Sequence, residues 1–286
     1  MDAPQYTARK LFEALRGERG FACTSAGLWR SGALEGLGRP SVALVGTRAA
    51  TPYGRGLARA FARDLGAAGC CIVSGLALGI DAAAHEGALD AGAPTVGVLG
   101  SGHARFFPRR NLELAERMIA GGGAVLSPWP TDQIAQPWHF LERNAVVAAL
   151  ADAVVVIEAP ARSGALNTAG WAAPRIPVLA VPGDVDRAHT AGCHALIRDG
   201  AILARCAADV LEVLKLHAPP PLLAVEREGP AGALLRVMRS GECDLDELVD
   251  ATGIAPAQAL AELAMLELEG AIERRGATRY ACSSGS

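Results

Sequence analysis

An α/β fold is predicted: a mostly parallel sheet with helices on both faces, then a small C-terminal winged-helix domain. Three observations predict it. From Val42 onward, six short apolar runs alternate with amphipathic stretches. A proline-rich stretch at 217–230 interrupts that alternation. Beyond it the pattern changes to three helices and a hairpin.

The apolar runs are 42–45, 71–73, 95–99, 124–126, 154–157 and 178–181. Each is aliphatic or β-branched and closed by Gly, Ser or Pro, as expected of strands buried on both faces. Between the first two, 54–69 reads as a helix whose core face carries Leu57, Phe61 and Leu65. Asp81 is the expected N-cap of the next helix, and Asn111 of the one after it. Repeated strand–helix–strand units make the sheet parallel.

The predicted division is 1–40, a short N-terminal segment with one helix near 7–15 and a glycine-rich lead-in; 41–216, the sheet domain; 217–230, a stiff linker; and 231–286, the winged helix. In the last, Leu234, Leu235, Val237 and Met238 mark a first helix. Asp244 and Glu247 form a capping box for a second, and Pro256 opens a third. Two short strands, 271–274 and 278–281, flank a turn.

Composition excludes several classes. Hydrophobic residues make up 51% of 286, so a large core is expected rather than disorder. No run of about 18 apolar residues occurs, and the first thirty residues carry Arg9, Lys10, Glu13, Arg16, Glu18 and Arg19. A soluble, cytoplasmic chain with no membrane span is therefore expected. The seven cysteines lack C-x-x-C spacing, so buried free thiols are expected and no metal site. The net charge is −3, distributed as +2 over 1–40, zero over 41–215 and −4 over 231–286.

The chemistry gathers where strands end, because loops there expose backbone N–H groups and helix N-termini. After the first strand, Gly46 permits close approach of an anion, and Thr47 and Arg48 are donors for phosphate oxygens. The second ends in Ser74-Gly75 before a helix bearing Asp81 and His85, one turn apart. That pair suits acid–base work, or equally a cap and a packed histidine. After the third, Gly100-Ser101-Gly102 reads as a flexible loop, not a G-x-S-x-G elbow. Later come 140–144 (FLERN) and 163–169 (SGALNTA), whose Ser, Asn and Thr are uncharged donors suited to a nucleic-acid backbone. Phe140 and nearby Trp138 are either base-stacking platforms or core aromatics. No nucleophile–base–acid set, Walker A loop or G-x-G-x-x-G accompanies them.

Taken in order, 45–54 (VGTRAATPYG), 74–85 (SGLALGIDAAAH), 98–102 with Pro108 and Asn111, FLERN, SGALNTA and 181–183 (VPG) resemble the DNA-processing protein A (DprA/Smf) family. Gly192, Leu196-Ile197 and Gly200-Ala201 complete the series, over about 38–215. The resemblance implies an extended Rossmann-like fold and a homodimer that binds single-stranded DNA. It further implies a recombination mediator, which protects incoming DNA and helps load the recombinase RecA during natural transformation, with no catalysis and no cofactor. It assigns Arg48, Phe140, Arg143, Asn144, Ser163 and Asn167 to DNA, and the strand-end loops add Gly46, Thr47, Tyr53, Gly75, Gly100, Ser101, Gly102 and Gly164 as expected contacts. Residues 1–40 would be the remnant of a helical module.

Three departures stand out. Pro137 occupies the position of a common lysine, Ala145 that of an arginine, and Pro128 that of a glutamate. The third helix of the winged-helix segment carries Glu262, Glu267 and Glu269 but no Lys or Arg, which disfavours duplex binding. Two other functions share the fold outline. A nucleotide N-glycosidase would need P-G-G-x-G-T-x-x-E, and 161–169 has neither Pro-Gly-Gly nor the glutamate. A ligand-sensing winged-helix regulator would need a basic recognition helix.

Overall fold

The computed structural model describes residues 28–216, 229–238, 243–268, 272–275 and 279–282. The helix expected near 7–15, the linker residues 217–228 and the hairpin turn lie outside these. The chain divides into two compact units, 1–219 and 220–286.

In the first unit the apolar runs become β2 (Ser41–Val45), β3 (Cys71–Ser74), β4 (Thr95–Val98), β5 (Ala124–Ser127), β6 (Ala153–Val156) and β7 (Val178–Ala180). Every residue of these six strands is buried. They pair in parallel in the order β5-β4-β3-β2-β6-β7, with β8 (Ile202–Leu203) added beside β7. β1 (Trp29–Gly32) closes the other edge, antiparallel to β5. Neither edge strand has the apolar run that marks the central ones. β1 is WRSG, and the two residues of β8 are exposed.

Alternate residues of each strand face opposite sides. Ala43, Val45, Val154 and Val156 pack with α4 (Pro137–Ala149), α5 (Gly164–Ala172) and α6 (Ala191–Arg198). Val42, Leu44, Ala153 and Val155 pack with α1 (Pro52–Ala67), α2 (Ile80–Asp90) and α7 (Ala207–Val213). α3 (Leu112–Ala120) buries Leu114, Ala115 and Met118 against Leu76, Leu99 and Val125. The result is a three-layer Rossmann-like α/β/α unit.

Two expected caps are used otherwise. The N-cap of α2 is Gly79, at φ +81°, where a Cβ would lie 2.4 Å from the Thr47 carbonyl oxygen. Asp81 sits inside the first turn, and its Oδ2 accepts from the N–H of Gly75 (3.1 Å) and Ala77 (3.3 Å). Asn111 does occupy the N-cap of α3 but makes no cap bond; its Nδ2 donates to the carbonyls of Leu76 and Ala77. Both side chains hold the 75–77 loop, whose buried backbone groups need partners more than exposed helix ends do.

The second unit holds α8 (Gly229–Met238), α9 (Leu245–Thr252) and α10 (Pro256–Leu268), with a sheet of β9 (Cys243–Asp244), β11 (Arg279–Cys282) and β10 (Ile272–Arg275). This is a winged helix. α8 begins inside the expected linker, with Pro230 in its first turn, where a missing N–H costs nothing. The Asp244–Glu247 capping box forms in both directions. Leu234, Leu248, Leu263, Leu266 and Ile272 make a core of their own.

Leu44 is wholly buried in the central strand. Leu44→Ala should therefore cost about 2–5 kcal/mol, read as a lower urea midpoint.

Candidate functional site

The site follows from a reversal in strand order. β2 and β6 are parallel neighbours, with Val45 opposite Val156. The chain leaving β2 continues through α1 to β3 on one flank, while that leaving β6 continues through α5 to β7 on the other. Diverging exits leave a crevice at the carboxyl ends of the strands. Here it is an open cleft of about 650 Å³.

Gly46, Thr47 and Arg48 line it from β2, Gly75 from β3, Phe140, Arg143 and Asn144 from α4, and Ser163 and Gly164 from the start of α5. Asp81, Phe107, Pro137, Leu141 and Arg162 also line it.

Its floor is charged. Arg143 is only 4% exposed, yet it reaches the cleft. Its Nη1 donates to the Val98 carbonyl at 3.1 Å and lies 3.9 Å from Asp81 Oδ2. Burial pushes the guanidinium down to about 10, while Asp81 raises it and Arg48 lowers it further. It therefore stays cationic near neutrality. Burial pushes the Asp81 carboxyl up, against the opposing pull of Arg143 and the Ala77 and Gly75 N–H groups. A Cβ on Gly75 would fall 1.4 Å from Arg143 Nη1, so only glycine leaves room for the buried arginine. Arg143 Nε has no hydrogen-bond partner.

The rim is basic and aromatic. The Arg48 guanidinium carbon stands 4.7 Å from the centre of the Phe140 ring, a cation–π distance. Phe107 lies 5.9 Å beyond Phe140, tilted by 57°. Arg48 and Arg162 are exposed and make no ion pair among the described residues. Asn144 Nδ2 donates to the Gly164 carbonyl (3.1 Å) and to Asn167 Oδ1 (3.3 Å), tying α4 to α5. Ser163 is the N-cap of α5, its Oγ accepting from the Ala165 N–H.

Five of the residues expected to meet DNA lie outside the cleft lining. Tyr53 is on the first turn of α1 and 72% exposed, turned outward because Gly54 faces inward. Gly100 backs the Phe140 ring, where a Cβ would come within 2.6 Å. Ser101 is fully buried, and its carbonyl accepts from Ser127 Oγ. Gly102 donates its N–H to the Gln133 carbonyl. Asn167 Oδ1 accepts from Asn144 Nδ2 behind the cleft lining. The 100–102 loop thus supports the cleft from behind, because Phe140 of α4 covers it.

Glu158, which sequence reasoning did not single out, organises the loop after β2. It is 3% exposed and lies two residues past the end of β6. Its carboxylate accepts from the Thr51 N–H (2.9 Å) and Thr51 Oγ1 (2.8 Å), while its carbonyl accepts from the Thr47 N–H (2.7 Å). Thr51 Oγ1 in turn accepts from the Gly54 N–H and caps α1. A Cβ on Gly54 would lie 2.5 Å from Glu158 Oε2. His189 Nε2 stands 3.4 Å from Glu158 Oε1. The available signal was an acid ending a strand buried on both faces, opposite a helix that begins with glycine.

His85, considered beside Asp81 for acid–base work, faces away from the cleft. Its Nδ1 lies 2.7 Å from Thr95 Oγ1. That hydroxyl spends its proton on the Ile72 carbonyl (2.8 Å), so Nδ1 must carry the hydrogen. Nε2 is buried with no partner. Burial, with Arg143 adding to it, holds the imidazole down to about 3. Among the described residues no cluster of His, Cys, Asp or Glu is arranged to hold a metal. Cys70, Cys71 and Cys193 are buried free thiols and Cys243 is buried, whereas Cys206 is exposed.

Two outcomes follow from this geometry. Glu158→Ala leaves the Thr51 cap and the Thr51 N–H without their partner. It should destabilise the protein by about 1–3 kcal/mol in urea unfolding. His85 binds its proton more readily unfolded (about 6.5) than folded, so its contribution is complete above that pH and falls as pH drops toward 3. From pH 7 to pH 5 it should remove about 2 kcal/mol of stability, and His85→Gln should abolish that share of the slope.

Residues 19–215 match the family model described as DNA recombination-mediator protein A, and residues 218–277 match the DprA winged helix domain. A Mycobacterium tuberculosis protein, provisionally named DNA processing protein DprA, is 40% identical over 259 residues, or 87% of this chain and 66% of that protein. The X-ray structure of DNA processing protein A from Streptococcus pneumoniae superposes with a TM-score of 0.61 at 38% identity, covering 65% of each chain. DNA processing protein A from Helicobacter pylori, described for its single-stranded DNA binding mode, gives 0.60 at 30% identity over 66% of this chain and 88% of that one. The chain spans about two thirds of the length of the Mycobacterium and Streptococcus relatives. With a model match over more than half its length and the same two-part architecture, the chain belongs to the DNA recombination-mediator protein A family.

Proposed function

We propose that this chain binds single-stranded DNA in the cleft between β2 and β6 and acts as a recombination mediator. In this reading it shields incoming single strands and helps load RecA onto them in natural transformation, without a catalytic step. The observation that carries it is the rim: exposed Arg48 over the Phe140 ring beside Phe107, and exposed Arg162, neither in an ion pair among the described residues, over a floor holding the buried cation Arg143. Cations matched to phosphates, and aromatic faces matched to unstacked bases, are what a single strand requires. Gly46, Thr47, Asn144, Ser163 and Gly164 offer uncharged polar groups along the same wall. The Helicobacter relative supports the choice of ligand.

Self-association as a homodimer is part of the proposal. Its support is the sheet edge at β8, where Ile202 (43%) and Leu203 (44%) stand exposed. The winged helix is read as a protein-contact module. α10 has no Lys or Arg and exposes Leu260 and Met265, an outer face poorly suited to the major groove.

Fluorescence anisotropy of labelled oligo-dT against a matched duplex, across a salt series, tests the proposal. The single strand should be preferred. If Arg48 and Arg162 engage phosphates, with or without Arg105, Arg109 and Arg110, log K should fall with log salt at a slope of roughly −1.4 to −3.5. Arg48→Ala should weaken binding about tenfold and flatten the slope by about 0.7. Deleting 231–286 should leave single-strand affinity within about threefold, a difference under 1 kcal/mol. Equal binding of duplex, or an unchanged Arg48→Ala variant, would refute the reading.

A further inference from the structure

Trp138 is not used by the cleft as described. It sits in the first turn of α4, between Pro137 and Leu141 in sequence, and both of those line the cleft. Its side chain is 51% exposed, which is costly for the largest apolar residue unless something covers it.

The ring is nevertheless held firmly. Its plane stands perpendicular to Trp129, with centroids 5.2 Å apart, and at 71° to His139, with centroids 4.1 Å apart. Trp129 stacks on His139 at 3.8 Å. His139 is itself fixed, because its Nδ1 accepts from the Gln136 N–H while its own N–H donates to the Gln136 carbonyl, both at 3.1 Å. An aromatic ring packed against two others and half open to solvent is pre-organised to receive a flat partner.

We propose that Trp138 is a second base-stacking platform, taking one unpaired nucleobase where the strand leaves the cleft over Leu141. This rests on the single-stranded DNA reading above. Leu141, one helical turn from Trp138, is 50% exposed and lines the cleft, so the apolar strip runs continuously from site to ring. Ile134, 60% exposed, and Pro137 are near neighbours in sequence and carry no charge. Contact at this lip is therefore through a ring rather than a phosphate. A nucleobase is favoured over a protein partner because the strip opens into a cleft whose rim carries Arg48 and Arg162, cations that complement a polyanion.

Tryptophan emission and anisotropy with oligo-dT decide it. Trp138→Ala should weaken binding about 5- to 100-fold, the span of one lost stack, with the salt slope unchanged. Trp138→Phe should keep affinity within about threefold, while losing most of the DNA-induced quenching seen in the native protein. It also serves if the alanine variant fails to fold. On an oligonucleotide of abasic residues, native protein and Trp138→Ala should bind alike. If native protein binds no single strand, the functional reading fails and this proposal with it. If native protein binds but Trp138→Ala matches it with quenching intact, this proposal alone fails. A Trp138→Ala variant that changes sedimentation but not DNA affinity would assign the ring to a protein interface and likewise overturn it.

Discussion

Strands β2 and β6 lie side by side in parallel register, yet the chain leaves them toward opposite flanks of the sheet. Two loops that part company cannot pack on one another, and the space between them stays open. Everything at the site answers to that geometry. The loop after β2 brings Gly46–Arg48, the loop after β6 leads to Ser163–Gly164, and α4 lays Phe140, Arg143 and Asn144 across the gap. Had β6 joined the far edge instead, the same side chains would line no common space.

Keeping such a crevice open leaves polar backbone to satisfy, and buried side chains meet that need. Glu158 accepts from Thr51, and its carbonyl accepts from Thr47, so one residue of the β6 exit holds the β2 exit in place. Asp81 and Asn111 do the same for the loop after β3. Isolated buried charges of this kind would destabilise the fold. Asp81 is made tolerable by Arg143 nearby, and Arg143 by Asp81 and the Val98 carbonyl. The glycines follow from this crowding. Gly75 yields room to the arginine and Gly54 to the glutamate, so their need for hydrogen as a side chain is set by neighbours distant in sequence.

The balance of charge and aromatic surface gives the cleft its character. The sheet domain is electrically neutral as a whole, with fifteen basic and fifteen acidic residues over 41–215. The affinity for a polyanion proposed for it would therefore have to come from where cations stand. Acids such as Glu158 and Asp81 are turned inward onto backbone N–H groups, whereas Arg48 and Arg162 face outward without carboxylate partners among the described residues. Pro137 stands where the family resemblance implies a lysine, and in the proposed reading the exposed Trp138 beside it offers stacking there in place of charge.

The sequence by itself determined the six central strands, the helices between them, the winged-helix outline and the family. Each is written in local periodicity, in turn chemistry or in an ordered set of motifs, and needs no knowledge of distant neighbours. It also pointed to Gly46, Thr47, Arg48, Gly75, Ser163 and Gly164, which follow strands or lead helices at one sheet edge, and, through the family motif at 140–144, to Phe140, Arg143 and Asn144, which line the same cleft from α4. What only the tertiary structure decided is how those loops share space. It turned the 100–102 loop into a support for Phe140, diverted Asp81 and Asn111 from capping, and left Tyr53 facing solvent. It also recruited Glu158, 107 residues from Thr51, and added edge strands that lack a hydrophobic signature. These outcomes depend on long-range pairing across the strand reversal, where burial of one group sets the partner another must find, and no local window of sequence carries that information.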